Sequence, residues 1–255
     1  MANSMEDKGC YASPAQREVL VNFIAHPDIE KNFFLTGGTA LSVFYLHHRI
    51  SDDLDLFAKD FTDLSEIGFW IKSRWPHESV TIKETSQFVS FLVREVKVDF
   101  VIDRLSTDEQ RSSYLFETGR HLFIDTINNI VSNKLCAVVS RTEPKDYIDL
   151  FMILKSFSNI EISDVYRMSR LKDAIFDDPP TAAYQLEIGI AFIKENPALI
   201  PTVLQKIDMK EFYEFYEKLA RWLYARIKIS TFNHEGHEGY HTKHTKRKTE
   251  DNDFS

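Results

Sequence analysis

The chain has 255 residues, 43% of them hydrophobic and 27% charged, with a formal net charge of -8. That composition excludes wholesale disorder and predicts one substantial core or two modest ones, while the acidic balance excludes a surface that attracts phosphate backbones as a whole, so any nucleic-acid contact has to be local. Cys10 and Cys136 lie far apart and form no CxxC pair, which excludes a disulfide framework and suggests no thiolate zinc site; the absence of a secretory leader pattern and of a long apolar stretch predicts a cytoplasmic protein with no membrane segment.

Pro14 suits the first turn of a helix, and Val19, Leu20, Phe23 and Ile24 recur at helical spacing, so a helix is expected from Pro14 to near Pro27. A short apolar strand over Asn32 to Thr36 is broken by Gly37-Gly38, after which Ala40, Leu41, Phe44 and Tyr45 return to helical period. His48 to Asp52 is a polar connection, and Asp53 to Phe57 alternates polar with apolar like a half-buried strand. Leu64 to Trp75 is helical and Pro76 stops it. Three strands follow, over Val80 to Lys83, Phe88 to Val93 and Val96 to Ile102, as an antiparallel extension of the first sheet. From Asp125 the pattern is helical: Ile127 to Ser140, Pro144 to Lys155, Ile162 to Lys172, Thr181 to Lys194 and Met209 to Lys228. The expected class is α+β, with a mixed sheet domain over 1–120 and a helical domain over 121–230, the seam near 104–124. Residues 231–255 read as a disordered His- and Lys-rich tail whose histidines form no built metal site.

Chemistry concentrates in the first domain. On a strand, Asp53 and Asp55 project to one side while Leu54 and Leu56 enter the core. Two carboxylates so close either share a divalent cation or face solvent. Asp99 is the lone acid in an apolar strand, either an edge acid facing water or the third member of a cluster. Beside the Asp53 strand it would complete a three-carboxylate set able to hold two magnesium ions for displacement at phosphorus. Gly37 and Gly38 let backbone approach a phosphate closely, or simply make a tight turn.

Residues 35–57, LTGGTALSVFYLHHRISDDLDLF, combine Gly-Gly before a helix, Arg49-x-Ser51 and Asp53-x-Asp55. This resembles the signature of the AbiEii/AbiGii nucleotidyltransferase toxins of the polymerase-β-like superfamily, with His47-His48 where many relatives have Gly-His. The resemblance continues weakly through Lys97 to Phe100, Asn133 to Leu135 and Lys145 to Leu150. It implies a polymerase-β-like nucleotidyltransferase sheet domain and transfer of a nucleoside monophosphate from a nucleoside triphosphate, with Mg2+ on Asp53, Asp55 and Asp99. It implies Gly37, Gly38, Thr39, Arg49 and Ser51 around the phosphates, Lys134 as a catalytic cation, and Asp146 as a residue that orients it or another group. Arg49 has a structural alternative, pairing with Asp52, and Arg141 is expected two turns from Lys134 on the same helix face. The acceptor implied is the acceptor end of a tRNA, in a toxin with a cognate antitoxin. A small molecule or protein as acceptor, a non-catalytic nucleotide-binding module, and a metal-dependent phosphohydrolase are the alternatives.

Overall fold

The computed structural model describes residues 6–60, 63–107 and 110–226. They divide into two compact units, the first running to Lys134 and taking in Pro201–Lys206, the second covering Leu135–Ile200 and resuming at Ile207. The fold is α+β.

In the first unit, α1 (Pro14–Phe23) starts on Ser13, whose hydroxyl accepts from the Gln16 amide, with Pro14 at the first helical position. Pro27 does not merely end this helix. It opens a second short one, α2 (Pro27–Asn32), with the His26 ring accepting from the Asp28 amide. Then come β1 (Phe34–Thr36), α3 (Gly37–Leu41) and a π turn over Ser42–Leu46 that ends on His47 in the left-handed region, φ 52°. Following these are β2 (Leu54–Ala58), α4 (Leu64–Arg74), β3 (Ser79–Glu84), β4 (Phe88–Val93) and β5 (Val96–Ile102). The stretch 104–124, expected as a seam, instead carries a hairpin, β6 (Ser112–Leu115) and β7 (His121–Ile124). It completes a seven-stranded mixed sheet of order β3-β4-β5-β2-β1-β7-β6. The unit boundary falls within α5 (Ile127–Ser140).

Register sorts the side chains onto two faces. Leu35, Leu56, Phe100 and Val89 are cross-strand neighbours, and so are Leu54, Val98 and Phe91; all are buried. Phe23 of α1 packs edge-on against Phe100 and Trp75, with centroids 5.5 and 5.4 Å away. That face is the core. The opposite face carries the polar residues that build the site.

The second unit holds α6 (Pro144–Ser156), α7 (Ile162–Arg170), α8 (Pro179–Glu195) and α9 (Met209–Ala225). The Tyr147 hydroxyl donates to Val138 O at 2.7 Å and Tyr216 donates to Tyr147 O at 2.6 Å, so both buried phenols are satisfied. Gly189 in α8 faces the Tyr147 ring, where a Cβ would lie 1.8 Å from the hydroxyl. Among the described residues no helix is long and apolar enough to cross a membrane. The His-rich stretch 231–255 lies outside them.

Candidate active site

Two rows of side chains cross the polar face of the sheet. Because paired residues share a face, the register Ser90–Asp99–Asp55–Thr36 forms one row across β4, β5, β2 and β1. Two residues further along, Phe88, Val101, Phe57, Phe34 and Phe123 form a second row across β4, β5, β2, β1 and β7. At about 3.3 Å per residue the rows are roughly 7 Å apart.

The first row gathers the carboxylates. Asp55 and Asp99 are direct partners in the parallel β2–β5 pair, and Asp53 immediately precedes β2. Burial pushes the Asp55 carboxyl up to about 6, and the charges of Asp53 and Asp99 add to that, against the opposing pull of Lys134 and Lys97. Lys134, only 7% exposed on α5, thus stands within electrostatic reach of Asp55. Asp99 is held at both oxygens: Ser90 Oγ donates to Oδ1 at 2.5 Å and Lys97 Nζ to Oδ2 at 2.8 Å. Burial disfavours the Lys97 cation, but its bond to Asp99 and the fields of the three aspartates outweigh that and raise its pKa. Lys97 shares the Asp99 face by strand alternation, two residues away, whereas Ser90 meets Asp99 only through the β4–β5 register.

The glycines are required by close approach. Gly37 has φ 66°, and a Cβ there would sit 2.1 Å from Asp55 Oδ2. Gly37→Ala is therefore expected to displace the Asp55 carboxylate and to destabilise the fold by about 1–3 kcal/mol, read in a urea titration. A Cβ on Gly38 would meet Arg49 Nη2 at 2.3 Å and Ser51 Oγ at 2.9 Å.

Three side chains expected at the phosphates are turned inward instead. Thr39 has no exposed surface; its hydroxyl donates to Asp53 O and stands 3.0 Å from Ser51 Oγ. Ser51 is 4% exposed and Arg49 2%, with Arg49 Nη1 donating to Ile50 O at 2.8 Å. Fully packed side chains hold the loop that presents Asp53 and Asp55 but do not reach solvent. The loop is further tied by Ile50 N to Thr202 O at 3.1 Å and Leu204 N to His48 O at 2.7 Å.

Asp125, which the sequence reading passed over, locks the first row to α5. Its buried carboxylate accepts from Thr36 Oγ1 at 2.6 Å, Asn129 Nδ2 at 2.7 Å, the Thr126 amide at 3.0 Å and Arg111 Nε at 3.2 Å. Burial nonetheless raises its pKa. Arg111 also lies 3.6 Å over the Phe34 ring. Beside it opens a cleft of about 390 Å³ lined by Phe34, Phe123, Arg111, Lys31, Lys59 and Asp60, among others.

Arg141 directly follows α5, its amide donating to Ala137 O at 2.9 Å, and its Nε pairs with Asp146 Oδ2 at 2.8 Å in the second unit. Asp146 itself has no exposed surface.

A family model described as "Nucleotidyl transferase AbiEii toxin, Type IV TA system" matches residues 18–218. No curated protein matches the sequence significantly. Among solved structures, JHP933 from Helicobacter pylori is similar over 88% of this chain and 97% of its own, with 19% identity and a TM-score of 0.51. A second H. pylori structure is similar over 85% and 97%, with 19% identity and a TM-score of 0.50. MenT4, a nucleotidyltransferase toxin from Mycobacterium tuberculosis, is similar over 61% of this chain and 62% of its own, with 16% identity and a TM-score of 0.45. At 19% identity the likeness to the two H. pylori structures speaks to fold alone.

Proposed function

The chain belongs to the AbiEii nucleotidyl transferase toxin family, and on that footing we propose that it moves a nucleoside monophosphate from a nucleoside triphosphate to the acceptor end of a tRNA. The setting proposed is the cytoplasm, under control of a cognate antitoxin. The observation that carries the reading is the parallel register of Asp55 with Asp99, with Asp53 one residue before the strand.

The donor set fits magnesium. Three carboxylates crowd closely enough that Asp53 and Asp99 both raise the Asp55 pKa, and an all-oxygen set of this charge suits a hard divalent cation. Bound in pairs, such ions supply the charge that neutralises a triphosphate and acidifies the acceptor hydroxyl. The chain's own residues do the rest. Gly37, partly exposed beside Asp55, gives the triphosphate backbone without a side chain, Gly38 lets Arg49 pack close beneath it, and Lys134 adds a cation near Asp55. Ser90 and Lys97 fix Asp99, while Thr39, Arg49 and Ser51 support the loop from behind. Asp146 is ion-paired to Arg141 at 2.8 Å.

The second row supports a nucleic-acid acceptor. Phe57 and Phe88 are half-buried and Phe123 is 37% exposed, so rings stand one short step from the carboxylates, where unpaired bases could stack. Lys31, Lys59 and Arg111 supply local positive charge on an otherwise acidic protein. Phe123→Ala is expected to raise the KM for the RNA acceptor about tenfold and leave the KM for triphosphate unchanged, since stacking contributes roughly 1–3 kcal/mol per base.

The deciding experiment incubates the protein with each radiolabelled nucleoside triphosphate, magnesium and total tRNA, with Asp53→Ala/Asp55→Ala as control. Label on RNA that disappears in the control supports the proposal and identifies the nucleotide. Triphosphate binding without label on RNA overturns the tRNA assignment and moves the acceptor to a small molecule or a protein.

A further inference from the structure

We propose that Asp7, Cys10 and His47 form a second metal site, for a borderline-soft divalent ion of the zinc class. Each offers one ligand atom, and these atoms lie within 4.8 Å of one another; His47 Nδ1 is 3.8 Å from Asp7 Oδ2 and 3.1 Å from Ser42 O, so it carries the ring proton, which shifts to Nε2 when Nδ1 binds the ion. Zinc bonds of about 2.0–2.3 Å in tetrahedral array separate ligand atoms by roughly 3.3–3.8 Å, so the widest pair closes by about an ångström on binding. Thiolate, imidazole and carboxylate together select zinc, whereas the all-oxygen carboxylate row selects magnesium.

The site is held before any ion arrives. Asp7 Oδ1 accepts from the Gly9 amide at 2.9 Å, and the Asp7 amide donates to Val43 O at 2.9 Å. The Cys10 amide donates to Asp7 O at 3.2 Å, and Cys10 O accepts from Ser51 N at 3.0 Å. His47 keeps a left-handed backbone, φ 52°, an uncommon conformation outside glycine, with its amide on Ser42 O at 3.0 Å. An entry path exists: Cys10 has no exposed surface, but the side chains of Asp7 and His47 are 46% and 37% exposed. Solvent takes the fourth position, and the thiol proton is released to water as the thiolate binds. Such an ion would tie the N-terminal turn to the end of the π turn, and Cys10 in turn holds the loop that presents Asp53.

Cobalt(II) is the probe, titrated into the full chain without magnesium or triphosphate. The expected result is a near-ultraviolet thiolate-to-cobalt charge-transfer band saturating at one equivalent, lost in Cys10→Ser and kept in Cys136→Ser. Histidines of the tail and carboxylates of the sheet cannot give that band. Asp7→Asn retains the bond to Gly9, and His47→Asn tolerates the left-handed backbone; each is expected to weaken cobalt binding at least tenfold. No band with the unmodified protein, a band that survives Cys10→Ser, or unchanged affinity in both Asp7→Asn and His47→Asn would overturn the proposal. Should Cys10→Ser fail to fold in a thermal melt, the two asparagine variants decide.

Discussion

Replacing Asp55 by Asn is expected to stabilise the magnesium-free protein at pH 7.5 while abolishing nucleotidyl transfer. The folded-state carboxyl of Asp55 is pushed up to about 6 from an ordinary value of 3.8, first by burial and then by Asp53 and Asp99. Between those two values the folded chain holds more protons than the unfolded one, so its stability falls as pH rises through the window and stays lower above it. The difference corresponds to about 1–3 kcal/mol at pH 7.5, which the uncharged amide removes. Chemical denaturation without metal checks this: the gain of Asp55→Asn over the parent should be full at pH 7.5 and vanish near pH 3.5. Excess magnesium should reverse the order at pH 7.5, because only the parent gains from binding it. A variant less stable than the parent at pH 7.5 without magnesium would make Asp55 a structural residue and remove the basis of the site.

Arg49→Ala is expected to destabilise the protein by about 3–5 kcal/mol, although Arg49 touches no substrate in the proposed reaction. It is among the largest fully buried side chains, and its guanidinium fills the space over Gly38 and beside Ser51 while donating to Ile50 O. Removing it leaves a void and an unsatisfied carbonyl in the loop that leads to Asp53. Gly38→Ala should be destabilising on its own, because its methyl would meet Nη2 at 2.3 Å. In the Arg49→Ala background only the 2.9 Å approach to Ser51 Oγ remains, so the second change should cost less than it does alone. A double-mutant cycle from urea titrations gives the coupling; additive changes would mean that the guanidinium does not occupy that space.

Sequence pattern carried the long elements well because their periodicity was strong. β4, β5 and α5 take the expected bounds, and the charged pair Arg94-Glu95 between the two strands takes positive φ in the turn. Short elements gave little signal. α2 has six residues, and its opening Pro27 reads equally well as a stop. β6 and β7 have four residues each; β6 has no buried residue, and β7 buries only Leu122 and Ile124, with the apolar Phe123 between them facing out, so alternation is hard to see. Asp53, Asp55, Asp99 and the two glycines stood out as local motifs. Ser90 and Asp125 did not, because their importance arises from register and from a contact across many residues of sequence; Lys97, two residues from Asp99, reads as an ordinary outward lysine on its strand. Thr39 and Arg49 show the converse: types suited to phosphate contact that packing turns inward.

The return of Pro201–Lys206 to the first unit bears on how the protein can be dissected. This short segment bridges Arg49 through Val203 and occupies the backbone groups of His48 and Ile50, while Gln205 Nε2 reaches Leu46 O at 2.6 Å. A fragment ended at Lys134 would contain every proposed metal ligand yet lack the strip of chain that finishes the loop in front of them. No single cut therefore yields an intact catalytic half. Expression of the sheet alone should give a poorly folded product, and addition of the 201–206 sequence through an engineered linker is the truncation design that respects the wiring.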